Sequence, residues 1–520
     1  MVMPKAFYIT TPLYYVNAAP HIGHSYTTVA ADCLARYHRL NGEPVFFLTG
    51  TDEHGQKIEQ AARAAGLEPK AFTDQTAQTF HALWKTLNIS YDRFIRTTDA
   101  DHIRVVQRAL QHLRPQLRQG PSTFFYCVPC ETQWAQSDVA DPHAPECPSC
   151  RRALEQVEEE NFFLPLEPHR QWLKAHIDAH PAFVQPEARR NELLALLEQP
   201  LPDLCLTRPT ARLSWGIEVP FSRVHVTYVW VDALLNYLTA AGYGTAAFEA
   251  TWPADVHVIG KDILRHHALY WPILLHALGL PDAQMPRMIF AHGWWTIGEQ
   301  KMSKSRGNIV DPNVVIADGL KDQPYAADVY RYFLLREVPF GQDGSFSEEA
   351  IRKRLETDLA NDLGNLLHRT LSMIERYCHG RLPAAGPVGC AVDDAPLRDG
   401  ALGLSKQLEE RMARLDFSGA LEAIFQLITR ANRYIELQAP WQLAKAGEPA
   451  RLHTVLAVLT EVIRIVAVAL DPFMPSVAEA AWAQLGLGGT PRRLRDTTQW
   501  PGVTAGQPIG TRAVLFPKTS

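Results

Sequence analysis

The 520-residue sequence predicts an α/β fold, doubly wound around a parallel sheet, with a cysteine-rich insertion and an all-α helical bundle after it. Two observations lead to this prediction. Short apolar segments alternate with amphipathic helical segments before residue 116 and again between residues 226 and 295, which is typical of helices that cover both faces of a parallel sheet. From about residue 349 onward strand patterns disappear, and long amphipathic helices follow one another.

The first strand, loop and helix follow directly after the amino terminus. Residues 7–10 form a short apolar run, Pro and Asn residues interrupt it, and a helical pattern runs from 25 to 40. His21, Gly23 and His24 precede this pattern. Because a helix amino end carries unpaired N–H groups and partial positive charge, they stand where a phosphate would be held. Alone, two histidines at this spacing are more often surface or capping residues.

The other elements continue the alternation of a Rossmann-like sheet. Strand 45–48 ends in the polar stretch 49–55, and the carboxyl ends of strands are where open α/β sheets bind ligands. The remaining predicted segments are strands 224–231, 256–259 and 288–291, helices 56–65, 70–87, 99–117 and 263–278, and bundle helices 350–377, 403–415, 420–437 and 453–470 with a connector at 382–396.

The composition excludes several classes of protein. Apolar residues make up 46% of the chain, and its length is typical of three or more domains. The apolar run 455–470 contains Glu461 and Arg464, and the amino terminus lacks the pattern of a secretory signal. We therefore expect a cytoplasmic protein that has no membrane partner. A net charge of −5 argues against binding nucleic acid by bulk electrostatics, so we expect any such contact to be local.

Four of the eight cysteines form two C-x-x-C pairs, Cys127 with Cys130 and Cys147 with Cys150. The sixteen residues between the pairs allow four thiolates to converge on one tetrahedral ion, and this spacing is a strong zinc signal. The alternative is four surface cysteines without a metal. With every position filled by sulfur, no site remains for a catalytic water, so we predict one structural Zn²⁺.

A second motif changes the interpretation of the two histidines. The sequence KMSKS at 301–305 follows HIGH at 21–24 by about 280 residues. This pair of motifs resembles the signature of class I aminoacyl-tRNA synthetases, and both match without a substitution. Within that class the chain most resembles the methionyl-tRNA synthetases, through TTPLYYVNAAPHIGH, FFLTGTDEHG, TYVWVDALLNY, HVIGKDILRHHALYWP, KMSKSRGN and NRYIELQAPW.

The resemblance implies a division of the chain and a reaction. The predicted parts are a catalytic domain at 1–115 and 226–295, an inserted connective domain with the zinc knuckle at 116–225, a stem-contact region with the KMSKS loop at 296–348, a helical anticodon-binding domain at 349–505 and a tail at 506–520. The implied reaction joins methionine to ATP as methionyl-adenylate, with Mg²⁺, and transfers it to initiator and elongator methionine tRNA. The insertion is too short for the editing domain of the leucyl, isoleucyl and valyl members.

The resemblance also implies roles for particular residues. Phosphate and adenosine contacts fall on His21, Gly23, His24, Gly260, Asp262, Lys301, Met302, Ser303, Lys304 and Ser305, of which His21, His24, Lys301 and Lys304 are the catalytic candidates. The methionine site falls on Leu13, Tyr15, Asp52, Trp230, Ala233, Tyr237, Ile263 and His267, with Asp52 facing the substrate ammonium. Trp230 and Tyr237 are seven residues apart, so they also fit an ordinary helix core.

The anticodon contacts implied by the resemblance are Pro440, Trp441 and Arg369. Trp441 would stack on the first base of the CAU anticodon, and the alternative is that it caps the core of the bundle. A further family contact is an Asn and an Arg four apart; we match it to Arg369 and Met373, so only Arg369 is carried over.

Two other functions fit the same motifs. One is a class I synthetase for another amino acid, and the other is a tRNA-binding or regulatory paralogue without catalysis, against which the intact motifs argue. Because the chain ends at Ser520, before the dimerising module that some family members carry, we expect a monomer.

Overall fold

The structure is a computed structural model that describes residues 5–128, 132–134, 138–148, 150–297, 300–301, 310–384, 394–489 and 492–517. The chain divides into two compact units. The first unit comprises Met1–Pro20, Phe46–Ala82 and Tyr91–His292, and the second comprises His21–Val45, Leu83–Ser90 and Gly293–Ser520. The predicted domain boundaries remain predictions.

Sixteen strands are found among the described residues. They are β1 Phe7–Thr10, β2 Tyr14–Tyr15, β3 Val45–Asp52, β4 Arg93–Arg96, β5 Arg118–Cys127, β6 Thr132–Trp134, β7 Glu155–Leu164, β8 Val184–Gln185, β9 Leu204–Cys205, β10 Thr207–Pro209, β11 His225–Thr227, β12 Val256–Gly260, β13 Ile289–His292, β14 Trp295–Ile297, β15 Gln300–Lys301 and β16 Gly344–Ser345.

The first unit is built around a seven-stranded sheet in the order β2-β3-β1-β12-β13-β8, with β4 also paired to β3. The pairs β1–β12, β12–β13, β13–β8, β2–β3 and β3–β4 are parallel. This confirms the predicted doubly wound α/β architecture. The carboxyl ends of β3 and β12, at Asp52 and Gly260, therefore lie on the same edge of the sheet.

One prediction about this sheet was wrong in part. The polar loop predicted after Leu48 begins only at residue 53, because β3 continues to Asp52 and Thr49 and Thr51 pair with the unpredicted strand β4. The region predicted as an insertion contributes the short strand β8 to this sheet, where it pairs with β13. Its other strands form the antiparallel sheet β6-β5-β7-β9 and the hairpin β10-β11.

Nineteen α-helices are found among the described residues. They are α1 Ile22–Leu40, α2 Gln56–Ala64, α3 Pro69–Thr86, α4 Ala100–Leu113, α5 Glu167–Ala179, α6 Glu187–Leu197, α7 Val229–Ala240, α8 Phe248–Thr251, α9 Trp271–Ala277, α10 Pro312–Val314, α11 Ala326–Arg336, α12 Glu348–Arg354, α13 Asn365–Tyr377, α14 Asp394–Leu402, α15 Leu404–Met412, α16 Phe417–Gln438, α17 Pro440–Ala446, α18 Pro449–Leu470 and α19 Pro475–Gln484.

Three helix predictions need correction. Helix α1 begins at Ile22 rather than Ser25 because its first turn is capped by side chains. The predicted strand 224–231 is the short β11 followed by α7, whose apolar side chains recur at helical spacing. The predicted helix 263–278 contains a π-helical turn, His266–Tyr270, before α9.

The second unit confirms the predicted helical bundle. Helices α12 and α13 are joined by a π-helical stretch, Leu355–Gly364, and α16 and α18 pack within the bundle. Helix α18 has the length and hydropathy of a membrane span, but 94% of its apolar window is buried within the protein.

In the second unit the fully buried Asp32 of α1 pairs with Arg331 of α11 at 2.7 Å. The helix that follows His21 is therefore anchored by a buried charge pair.

Candidate functional site

His21 and His24 form a reciprocal cap on the amino end of α1. Nδ1 of His21 accepts a hydrogen bond from the backbone N–H of Gly23 at 3.1 Å, and Nδ1 of His24 accepts from the N–H of His21 at 3.1 Å. The two rings stack with their centroids 3.8 Å apart. The sequence had left capping and phosphate binding as alternatives; the structure shows the cap, and phosphate binding remains a prediction.

The cap decides where the ring protons lie. Because Nδ1 of each ring accepts a backbone N–H, the proton of the neutral ring must lie on Nε2. Both histidines therefore carry an N–H donor on the atom that the cap does not use. A Cβ atom on Gly23 would lie 2.9 Å from Cε1 of His21, so a larger residue here would displace the ring that caps the helix.

The second motif lies mostly outside the described residues. Lys301 is the last residue of β15, which pairs with β14 through Thr296. Met302, Ser303, Lys304 and Ser305 are not among the described residues. Their predicted contacts with ATP remain predictions.

The residues predicted to bind methionine come from several elements of the first unit, chiefly β2, β3, α7 and the segment after β12. Tyr15 of β2 pairs in register with Asp52 of β3, and Asp52 is 3% exposed. Helix α7 carries the half-buried Trp230 and the buried Ala233 and Tyr237. Ile263 and His267 follow β12, and Leu13 packs partly buried against the same hydrophobic core.

A hydrogen-bonded chain joins two of these elements. Nδ1 of His267 faces the carbonyl oxygen of Ile263 at 3.1 Å, so this nitrogen carries the proton. Nε2 then accepts the hydroxyl proton of Tyr237 at 2.8 Å. Burial lowers the pKa of His267 to about 4, which keeps the ring neutral at pH 7. The orientation of Tyr237 is thus fixed by a neutral imidazole of known tautomer.

Gly260 and Asp262 lie at the carboxyl end of β12. Gly260 precedes the 3₁₀ turn Lys261–Ile263. A Cβ atom on Gly260 would lie 2.6 Å from Oδ1 of Asp262. The carboxylate therefore folds back over the glycine, and a larger residue would displace it.

The predicted metal ligands converge. The Sγ atoms of Cys127, Cys147 and Cys150 all lie within 4.8 Å of one another, and those of Cys127 and Cys150 are 3.5 Å apart. Ligands at the usual Zn–S distance of about 2.3 Å stand roughly 3.8 Å apart in a tetrahedron, so these thiols fit a zinc ion. Cys130 lies outside the described residues.

Trp441 lies at the start of α17, where Ala439 has a positive φ of 40° and Pro440 is buried. The indole is 40% exposed, which argues against the alternative that it caps the bundle core. The guanidinium of Arg369 from α13 lies 5.7 Å from the centre of the indole and pairs with Glu436 at 2.6 Å. The two predicted anticodon residues are therefore neighbours, as the sequence alone could not reveal.

Several residues at these sites were missed from the sequence. His266 stacks on Trp230 with ring centroids 3.7 Å apart, and its burial holds its pKa well below the usual value. Asn365 is exposed and lies four residues before Arg369 in α13. Asn365 and Arg369 thus have the four-residue spacing of an Asn and an Arg, whereas the predicted match was to Arg369 and Met373.

Comparison with known proteins agrees with these observations. The family model of class I tRNA synthetases (M) matches residues 7–371, and that of the anticodon-binding domain of tRNA ligases matches residues 403–505. The methionine–tRNA ligase of Caldanaerobacter subterraneus subsp. tengcongensis is 47% identical over 99% of this chain and 79% of its own length. That of Streptomyces coelicolor is 42% identical over 99% of this chain and 97% of its own length.

A solved structure shows the same likeness. Mycobacterium tuberculosis methionyl-tRNA synthetase in complex with methionyl-adenylate superposes with a TM-score of 0.93 at 41% identity, over 99% of this chain and 100% of that one. The fold and these comparisons agree. The chain belongs to the class I methionyl-tRNA synthetases, the methionine–tRNA ligases.

Proposed function

We propose that methionine is activated at the carboxyl edge of the sheet in the first unit. The enzyme joins methionine to methionine tRNA through methionyl-adenylate, with ATP as the second substrate. The observation that supports this location is the arrangement of Asp52, Tyr237 and His267 there, with one buried carboxylate beside a largely apolar and aromatic set of side chains. A carboxylate suits the substrate ammonium, and aromatic rings suit the thioether.

The residue roles follow from the chemistry. The substrate carboxylate is already ionised at pH 7, so the reaction needs alignment and charge stabilisation rather than a general base. His21 and His24 donate from Nε2 to phosphate oxygens, Gly260 and Asp262 contact the adenosine, and Lys301 and Lys304 neutralise the leaving pyrophosphate with Mg²⁺. Met302, Ser303 and Ser305 complete the ATP contacts of this motif.

The cysteine cluster is proposed to hold one structural zinc. Cys127, Cys147 and Cys150, together with Cys130, would supply four thiolate ligands, so the ion would stabilise the inserted segment without an open position for water. Native mass spectrometry should find about one zinc per chain. A protein that is active and free of metal would refute this role.

Substrate choice is tested by ATP–pyrophosphate exchange with single amino acids. We expect exchange with methionine, weaker exchange with homocysteine, and little with other amino acids, because a pocket distinguishes near-isosteres by only about 1–3 kcal/mol. Exchange with a different amino acid would indicate another class I specificity. Exchange with none would revive the non-catalytic paralogue.

The role of Lys304 is tested in the same assay. Lys304→Ala should lower the rate of adenylate formation about 10²–10³-fold with methionine affinity little changed, because the charge acts on the leaving group. A rate equal to that of the parent enzyme would show that this lysine faces solvent.

We further propose that the enzyme is a cytoplasmic monomer without a membrane partner. A dimer mass measured by light scattering would contradict the proposed monomer.

A further inference from the structure

Three buried polar side chains of the first unit form a connected chain next to the proposed methionine site. Nδ1 of His54 lies 2.7 Å from Oδ2 of Asp232, and Nε2 of His102 lies 2.7 Å from Oδ1 of the same carboxylate. His54 is 5% exposed, whereas Asp232 and His102 are fully buried. The contacts of the substrate described above use none of these residues.

The carboxylate of Asp232 sets the proton positions in this chain. Nδ1 of His102 lies 3.0 Å from the hydroxyl of Thr239, which can donate to it. An ionised carboxylate only accepts, so His54 and His102 both donate to Asp232. Burial opposes this charge, but His54 and His102 outweigh it and lower the pKa of Asp232. Each carboxylate oxygen is therefore held by a different element.

These contacts join three parts of the first unit. His54 is two residues after Asp52, at the carboxyl end of β3, and His102 belongs to α4. Asp232 lies on α7 between Trp230 and Ala233. The carboxylate of Asp232 thus links the segment that carries Asp52 to the helix that carries the aromatic side chains of the methionine site.

The segment around His54 is fixed on its other side by different contacts. Nε1 of Trp215 donates to the carbonyl oxygen of Glu53 at 2.5 Å, and the Glu53 carboxylate accepts from Arg96 at 2.6 Å and from Thr98 at 2.6 Å. These contacts hold Glu53 without reaching α7. The bond between His54 and Asp232 links this segment to the helix.

A buried charge of this kind is an unusual way to hold a core together. Well-packed apolar residues of similar size stabilise a core as well or better, whereas fixed charge-assisted hydrogen bonds define one geometry. We infer that Asp232 is a positioning residue for methionine, which through His54 holds Asp52 at a set distance from Trp230 and Tyr237. This inference rests on the proposed methionine site.

Two substitutions of His54 test the inference. His54→Ala removes the donor to Asp232, and His54→Asn keeps an N–H near the position of Nδ1. In ATP–pyrophosphate exchange, His54→Ala should raise KM for methionine about 10–100-fold, as expected for a lost bond to a charged group. The KM for ATP and kcat should change by less than about 3-fold, and His54→Asn should recover most of the methionine affinity.

A control of matched burial separates positioning from general destabilisation. Leu173 is fully buried in the same hydrophobic core but belongs to α5, so Leu173→Ala should lower Tm and leave KM for methionine unchanged. A parental KM in His54→Ala, or an equal rise in Leu173→Ala, would overturn the inference. Asp52→Asn in the same assay distinguishes the two failures, because an unchanged KM there would overturn the methionine site itself.

Discussion

Trp230 and Trp441 occupy opposite environments in the two units. Trp230 is half-buried and stacks on His266, and the neighbouring Tyr237 is held by a bond from its hydroxyl to His267. Trp441 is 40% exposed, and its contact with Arg369 lies at the surface. The first arrangement suits a small substrate that must be enclosed, and the second suits an unpaired base that stacks on an open ring.

The two sites are prepared for their ligands in different ways. In the first unit, buried hydrogen bonds fix the side chains before any ligand is present, so the ordering cost of binding is reduced. In the second unit, the left-handed Ala439 and the buried Pro440 fix the backbone that presents the indole. Removal of one polar group should therefore lower activity more at the buried methionine site than at the exposed Trp441.

The largest effect is expected at Asp52. Asp52→Asn keeps the shape but removes the buried charge that we propose faces the substrate ammonium, so kcat/KM for methionine should fall about 10²–10³-fold. Steady-state exchange kinetics measure this change. The zinc content of the variant and its affinity for uncharged tRNA should equal those of the parent enzyme. Equal kcat/KM in the variant and parent would show that Asp52 does not meet the substrate.

The pH dependence of stability should have opposite sign in the two units. Burial lowers the pKa of His267 to about 4, so between pH 4 and 6.5 the unfolded chain binds more protons and stability is lost as the pH falls. Burial, partly offset by Arg331, raises the pKa of Asp328 in the second unit to about 6. There the folded state binds more protons between pH 4 and 6, so stability is lost as the pH rises.

Each of these two pKa shifts changes the free energy of unfolding by about 3 kcal/mol at most. Hydrogen exchange of peptides from α7 and α11, corrected for intrinsic rates, should show protection falling toward pH 4.5 in α7 and rising in α11. His267→Gln should weaken the trend in α7, where the lowered pKa of the buried His266 acts in the same direction, and Asp328→Asn should weaken the trend in α11. Parallel trends in both helices of the parent protein would contradict these assignments.

A smaller effect is expected at Trp441. Trp441→Ala removes a stacking face that contributes about 1–3 kcal/mol, so aminoacylation of methionine tRNA should fall about 10–200-fold. Trp441→Phe keeps a flat ring and should recover part of the activity. Exchange without tRNA should hardly change in either variant. A parallel loss of exchange with a lower Tm would mean that the indole supports the core.

The smallest effect is expected at Arg369. Arg369→Gln removes a cation–π contact and a half-exposed ion pair, each of which contributes about 0.5–1 kcal/mol. The KM for tRNA should rise about 3–10-fold, and higher salt should reduce the difference between variant and parent. A salt-independent change would point to a packing role for the side chain.

The sequence predicted the α/β architecture, the bundle and the strand from Phe7 to Thr10, because these depend on local periodicity. It did not predict that Val184 and Gln185 join the sheet, since two residues carry no periodic signal and their pairing with β13 depends on distant chain segments. It also ended β3 too early, because Thr49 and Thr51 are polar and their burial comes from the neighbouring strands.

The site residues also divide into those that the sequence predicted and those that it did not. The cysteines were indicated by pairs that are close in sequence, and His21 and His24 by the joint occurrence of two recognisable motifs, HIGH and KMSKS. The contact between Arg369 and Trp441, and the bonds from Asp232 to His54 and His102, join residues that are far apart in the chain. Charge and hydrophobicity patterns carry no information about such pairs, so they required the folded structure.

We propose that the buried site activates methionine and that the exposed Trp441 is needed for tRNA charging. The direct test measures both reactions, exchange and aminoacylation, on the same preparations of Asp52→Asn and Trp441→Ala. We predict that Asp52→Asn loses both reactions, since charging requires the adenylate, and that Trp441→Ala loses charging while exchange stays within about 2-fold of the parent. Full charging by Trp441→Ala, or parental exchange by Asp52→Asn, would contradict the claim.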